Sequence, residues 1–305
     1  MMPIGIGVGA ASMNGVVLGI NYNLLFSSGG TSVSDTISSM LSTIYGGASA
    51  STGPSTFAST GNPLVDLQLA QKNETADVAL EAKQPQVVQD INAFTKAVSN
   101  AKTIQDALGN PNVQKVLLTV SGLSNFIGET TLVQKALMSD PSDPNSLANQ
   151  MNNAALINAV QTYNFAQNGL GALQNPKILS TLTNGYAEVL WRQSLEQSTP
   201  GLSNALAFLQ QASSIKSAND ILTNLVNFQV VTTALGIPQD IINQDQTAQQ
   251  QAINSHLDVS KLQDPKFVTS LTDQYLLTMQ ANNQSSSAFG TSLDGLAVQA
   301  ASLIV

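Results

Sequence analysis

Apolar residues recur at helical spacing along most of this chain, from Pro63 to about Ala281. Ile91, Phe94 and Val98, for example, fall three or four positions apart, which places them on one face of a helix. Proline and glycine interrupt the pattern where helices commonly begin and end. Strand signals do not alternate with helix signals, so the pattern does not indicate a parallel sheet. The pattern therefore predicts an all-α fold.

The helical pattern occurs twice. Residues 93–123 and 207–237 share an order of features: Ala-Phe, a short capped helix, an apolar helix and a glycine. The offset is 114 residues at the start, slips by one, and is again 114 at the glycines Gly122 and Gly236. Thr103 and Asp106 have the spacing of a capping box. We predict two tandem copies of a multi-helix unit, the usual way in which stacked helical scaffolds are built.

Composition divides the chain further. Residues 1–62 are rich in Gly, Ser and Thr and predict a flexible N-terminal arm. The first helical unit is assigned to residues 63–199, ending at the Thr199-Pro200-Gly201 turn signal, and the second to residues 200–281. Residues 282–305 are a Ser/Asn-rich tail. The fold class is thus all-α, with two tandem units between two flexible ends.

Charge is scarce and unevenly placed. Only 10% of residues are charged, and the formal net charge is -8. Residues 1–65 contain one charged side chain, Asp35, and residues 281–305 contain one, Asp294. The acidic balance and the lack of a basic stripe argue against a nucleic-acid partner. The chain has no cysteine, no positive region of a secretory signal, and no apolar run that predicts a membrane span.

Several runs of residues form an ordered series along the chain. The runs lie at residues 83–94, 113–123, 133–149, 221–222, 230–237 and 257–265. In this order, along residues 65–280, they resemble the alphaproteobacterial DUF1217 family. Individually none is a chemical motif; their common order makes the resemblance specific. The resemblance implies an all-helical domain of unknown activity, often encoded among flagellar genes.

The resemblance and the composition together predict a function. The uncharged, small-residue ends resemble those of proteins exported by the flagellar type III apparatus, which order on assembly. We expect a non-enzymatic structural or interaction protein, located in the bacterial flagellum or outside the cell, whose partners are flagellar components or further copies of itself. One alternative is a cytoplasmic adaptor or export-chaperone-like protein that binds helices in grooves between the units. A second is a secreted enzyme of unrecognised type.

Candidate chemistry is sparse. His256 is the single histidine, and we interpret it as a residue at a helix C-terminus, where its partial positive charge suits the helix dipole. Asp140, Ser142, Asp143 and Asn145 alternate oxygens as in a calcium loop, but they lack its glycine and glutamate, so helix capping is the better interpretation. We expect Trp191 in the core. No catalytic, metal-binding or cofactor-binding residue is predicted.

Two apolar segments are the candidate interaction sites. One is in the N-terminal arm and the other in the C-terminal tail, outside the helical middle whose core is made without them. The candidate residues are Val16, Leu18, Ile20, Leu24, Leu25, Phe26, Leu293, Leu296, Val298, Leu303 and Ile304.

Overall fold

The computed structural model describes residues 57–151 and 153–301. Within these ranges the chain forms fourteen α-helices and no strands, which confirms the all-α prediction. The helices are α1 Pro63–Glu81, α2 Pro85–Asn100, α3 Ile104–Gly109, α4 Pro111–Val120, α5 Thr130–Leu137, α6 Leu147–Gln150, α7 Ala154–Tyr163, α8 Phe165–Gln174, α9 Pro176–Ser198, α10 Leu202–Gln211, α11 Ala218–Leu222, α12 Leu225–Leu235, α13 Gln246–His256 and α14 Pro265–Ala301.

Local sequence signals explain many of the helix ends. Helices α1, α4 and α9 each begin with proline, and the asparagine before it accepts a hydrogen bond from a backbone N–H of the first turn. Proline suits this position because its fixed φ is helical and its missing N–H has no helical partner there. The side-chain oxygen of the preceding residue satisfies one of the free amides.

Two capping boxes lie 114 residues apart. Thr103 and Asp106 exchange hydrogen bonds at the start of α3, as do Ser217 and Asp220 at the start of α11. The following helices, α4 and α12, are each closed by a glycine with positive φ, Gly122 at 71° and Gly236 at 65°. In both, the next residue donates its N–H to a carbonyl five positions back, which satisfies the last turn.

The hydrophobic core has two parts. The first is built by α2 to α8 and the first half of α9, and the second by α10 to α14 together with α1 and the second half of α9. Leu182 and Tyr186 of α9 lie in the first part, whereas Trp191 and Leu195 lie in the second. Trp191 is fully buried, which confirms its predicted core position. Helix α9 therefore joins the two parts.

Helix α1 packs against α9, α10 and α14. Its residues Leu67 and Ala70 lie in the second part of the core, although the sequence assignment placed α1 in the first unit. Arg192 on α9 strengthens this contact by binding Glu74 of α1 at 3.0 Å.

Helices α9 and α14 begin alike. Residues 174–186 read QNPKILSTLTNGY and residues 263–275 read QDPKFVTSLTDQY, an offset of 89. The Asn175 and Asp264 side chains each accept the backbone N–H two residues later. Asp140, in contrast, makes a local turn with Ser142 and caps no helix, so its interpretation as a helix cap is wrong.

The two predicted flexible ends, residues 1–62 and 282–305, lie only partly within the described residues. The arm at residues 1–62 lies outside the described residues except for its last six. The predicted boundary at residue 281 falls within α14, whose backbone remains helical to Ala301. The flexible tail is therefore not confirmed over residues 282–301, and residues 302–305 lie outside the described part.

Candidate functional site

A buried tyrosine holds three helices together in the first part of the core. Tyr186 of α9 is 2% exposed and donates its hydroxyl to Oδ2 of Asp90 in α2, at 2.8 Å. The same oxygen binds Nζ of Lys115 in α4 at 2.7 Å. Gln86 donates to the other carboxylate oxygen at 2.9 Å. Burial, followed by the hydrogen bond to Asp90 and its charge, raises the pKa of Tyr186, so its hydroxyl stays protonated.

The second part of the core contains a matching set. Tyr275 of α14 is fully buried, and its hydroxyl lies 3.5 Å from Nδ2 of Asn204 in α10. Nδ2 of Asn204 also donates to Oε1 of Gln229 in α12, at 3.0 Å. Burial, followed by the nearby Glu196, raises the pKa of Tyr275, which also stays protonated.

The two sets correspond position by position. Asn204 follows Asp90 by 114 residues, Gln229 follows Lys115 by 114, and Tyr275 follows Tyr186 by 89. We call them the charged triad (Tyr186, Asp90, Lys115) and the neutral triad (Tyr275, Asn204, Gln229). Each connects three helices within its part of the core, but only the first contains an ion pair.

Glu196 lies beside the neutral triad. Its Oε1 accepts the backbone N–H of Gly201 at 2.8 Å, whereas its Oε2 is buried without a hydrogen-bond partner among the described residues. Burial raises the pKa of Glu196 despite the backbone N–H groups at the start of α10. Gly201 has a φ of +87°, and a Cβ there would lie 3.1 Å from both Met279 and Tyr275. The turn therefore requires glycine.

Arg192 forms a second buried polar link. Its guanidinium is 4% exposed and binds Glu74 on α1, Glu188 one turn earlier on α9, and Gln210 on α10. A fork of N–H donors can serve several oxygens at once, which suits arginine to such a junction.

Asp66 ties the chain before α1 to the end of α9. It is fully buried and accepts from Ser59 Oγ at 2.5 Å, Thr199 Oγ1 at 2.6 Å, and both the N–H and the hydroxyl of Thr60. Burial by itself would raise the pKa of Asp66, but these hydrogen bonds outweigh it and lower the pKa. The carboxylate thus stays charged and fully hydrogen bonded.

The predicted chemical candidates do not assemble into a reactive site. His256 ends α13, as expected, and its Nδ1 lies 2.9 Å from Ser255 Oγ and from the carbonyl of Ala252. Asp258, two residues later, binds Ser260. Asp140 and Asp143 make local turns with Ser142 and Asn145. Among the described residues no group of three or more His, Cys, Asp or Glu side chains could hold a metal ion.

The predicted interaction residues lie mostly beyond the described part. Six of them, from Val16 to Phe26, are outside it, as are Leu303 and Ile304. Leu293, Leu296 and Val298 lie on the last turns of α14. None of the described helices is long and apolar enough to cross a membrane.

Both triads were missed in the sequence interpretation. A signal for the tyrosines was present, because the two 13-residue runs that begin α9 and α14 share Gln, Pro, Lys, Leu, Thr and a final Tyr. The partners had no such signal, since Asp90–Lys115 and Asn204–Gln229 share position but not chemistry.

The central region of the chain is similar to a known protein family. Residues 121–268 match the model of a family described as a protein of unknown function, DUF1217. The predicted resemblance is confirmed. The DUF1217 match runs from the end of α4 into the first turn of α14, so the similar runs at residues 83–120 lie before it.

A solved structure shares the fold. It is the crystal structure of a structural-genomics target from Agrobacterium tumefaciens, with 22% sequence identity and a TM-score of 0.58. The alignment covers 73% of this chain and 95% of that one. No curated protein matches the chain.

Proposed function

We propose that the chain consists of two copies of one helical unit, α2 to α9 and α10 to α14, with α6 to α8 inserted in the first. The matched capping boxes, the glycine helix ends and the two triads support this division. The offset falls from 114 at the triad partners to 89 at the tyrosines, which gives the first copy about 25 additional residues before its last helix. In this division α9 ends the first copy and leads into the second.

We further propose that the protein is a non-enzymatic structural or interaction protein of the bacterial flagellum. One observation is central: the neutral triad retains the helix connections of the charged triad while replacing both charged side chains with amides. A reactive site depends on its ionisable groups, whereas a scaffold needs only the connection. Both tyrosines stay protonated, so the hydroxyl of each can form a hydrogen bond between helices.

The flagellar assignment rests on the DUF1217 resemblance and on the composition of the ends. Residues 1–65 and 281–305 carry two charges in ninety positions. Such ends have little mutual repulsion, so they suit close packing between subunits. In this mechanism the ends lose conformational entropy when they contact a partner, and the contact must offset that loss.

Deleting the ends tests the proposal. Tagged chains lacking residues 1–56 or 282–305 would be expressed beside the full-length chain, and each would be measured in sheared flagella and in the medium. The first deletion stops before Phe57, Ser59 and Thr60 because they pack in the core or bind the buried Asp66. We expect the two deletions to reduce the flagellar fraction while the helical core stays folded by circular dichroism. Folded deletion chains that assemble as well as the full-length chain would refute the proposed mechanism.

A further inference from the structure

A groove of about 510 Å³ lies between α2, α3 and the start of α4. Three alanines line it, together with lysine, asparagine and aspartate side chains. We call it the α2–α4 groove and define it by Ala93, Lys96, Ala97, Ala101, Lys102 and Asn110. Lys96 and Lys102 are exposed, and Asn110 is half-buried.

The corresponding place in the second half of the chain is filled. Gln211 and Ile215 stand 114 residues after Ala97 and Ala101, and both are larger. Oε1 of Gln211 accepts a hydrogen bond from Nδ2 of Asn224, the counterpart of Asn110, at 3.0 Å. Ile215 is 1% exposed. Ala97 and Ala101 leave this space open in the first half.

The donors around the groove also have partnered counterparts. Gln210, the counterpart of Lys96, donates Nε2 to both carboxylate oxygens of Glu74 in α1, at 3.0 and 2.8 Å. Lys216, the counterpart of Lys102, donates Nζ to Oε1 of Gln263. The donors of Gln210, Lys216 and Asn224 therefore each have a side-chain oxygen as a partner.

In the first half these donors have no such partners. Among the described residues, neither the ammonium groups of Lys96 and Lys102 nor Nδ2 of Asn110 makes a hydrogen bond or ion pair. Asp106 also lines the groove, but its carboxylate already accepts the Thr103 N–H in the capping box. With two lysines and one aspartate, the lining has a formal charge of +1, in a chain of net charge -8.

We propose that the α2–α4 groove binds an acidic helix of a partner protein, with a glutamate side chain placed between Lys96 and Lys102. This deepens the proposed interaction role and rests on the two-copy architecture. The choice of an acidic helix follows from the free ammonium groups and from α1, an acidic-residue-bearing helix that supplies Glu74 to the counterpart of Lys96. The three alanines that line the groove have small side chains, which allows close approach of the partner backbone.

Exposed ion pairs contribute little individually, so binding needs the groove as well as the charges. This requirement gives a specific variant. Gln211 fills the corresponding space in the second half of the chain. Ala97→Gln would place the same side chain in the first half, within reach of Asn110. It is expected to fill the groove without loss of stability.

The test uses a fluorescent peptide with the sequence of residues 63–82, which contains Glu74, and fluorescence anisotropy with the full-length chain. We expect binding that weakens with added salt, and that weakens about tenfold for Ala97→Gln and for Lys102→Gln. Lys266→Gln removes an exposed lysine outside the groove and should leave the affinity unchanged. A peptide with Glu74→Gln should also bind about tenfold less tightly.

Two results would overturn the proposal. One is failure of the peptide to bind the wild-type chain, and the other is binding that Ala97→Gln does not weaken, which would place the peptide elsewhere. Neither result bears on export or on flagellar assembly, so a failure here is distinguishable from a failure of the proposed function.

Discussion

Replacing each buried tyrosine with phenylalanine distinguishes the two triads. Tyr186→Phe removes a 2.8 Å hydrogen bond to a carboxylate, and hydrogen bonds to charged groups contribute about 1.5–3 kcal/mol. Asp90 would keep Lys115 and Gln86, so no carboxylate is left without a partner. We therefore expect a loss of about 2 kcal/mol in the free energy of unfolding.

Tyr275→Phe is the matched variant. It removes only a 3.5 Å contact with Asn204, whose Nδ2 retains Gln229 at 3.0 Å, so we expect a loss of about 0.5 kcal/mol. For a chain of this size, about 1 kcal/mol corresponds to about 2–4 °C in Tm.

Urea and thermal unfolding followed by far-UV circular dichroism would measure both variants. Tyr186→Phe should lower Tm by about 4–8 °C and Tyr275→Phe by about 1–2 °C. Equal losses, or a larger loss for Tyr275→Phe, would refute the reasoning that the hydrogen bond of Tyr186 to a carboxylate makes the first triad the stronger connection.

Three further variants test the buried polar links, each by the same unfolding measurements. Gly201→Ala should lower the free energy of unfolding by about 2 kcal/mol or more, because the left-handed φ and the contact with Tyr275 both oppose a Cβ. Gly128→Ala is the control, since Gly128 has a φ of +98° but open space around it, and it should lower the free energy of unfolding by less. Equal losses would contradict the packing argument. Arg192→Met should lower the free energy of unfolding by about 3 kcal/mol because it removes the buried cation that binds Glu74 and Glu188, although Glu74 keeps its hydrogen bonds from Gln210. A loss below about 1 kcal/mol would show that the junction is not stabilising. Glu196 has a raised pKa in the folded state, so the folded chain binds more protons and wild-type stability should fall as the pH rises above 4.5. Glu196→Gln should remove this fall, and an unchanged pH dependence would contradict the assignment.

The sequence was informative where structure is local. Capping boxes, proline starts and glycine ends depend on residues within one turn, so Thr103, Pro111 and Gly236 could be interpreted directly. The helical period likewise identifies which face of each helix is apolar. These signals were sufficient for the all-α class and for most helix positions in the described part.

The arrangement of helices was not predictable in the same way. An apolar face indicates that a helix is buried, but it does not indicate which neighbour the helix packs against. The packing of α1 on α9 and α10 therefore had no local signal. Tyr186 and Asp90 are 96 residues apart, and their contact depends on the whole first half of the chain. The open groove could have been found by comparing Ala97 and Ala101 with Gln211 and Ile215, because the difference in side-chain size is visible in sequence.

Cell fractionation with and without a working flagellar export gate tests the central claim most directly. The tagged full-length chain would be measured in the cytoplasm, in the medium and in sheared flagella. A structural or interaction protein of the flagellum should appear outside the cell or in the flagellar fraction only when the gate works. Retention of the whole pool in the cytoplasm of cells with a working gate would contradict the account.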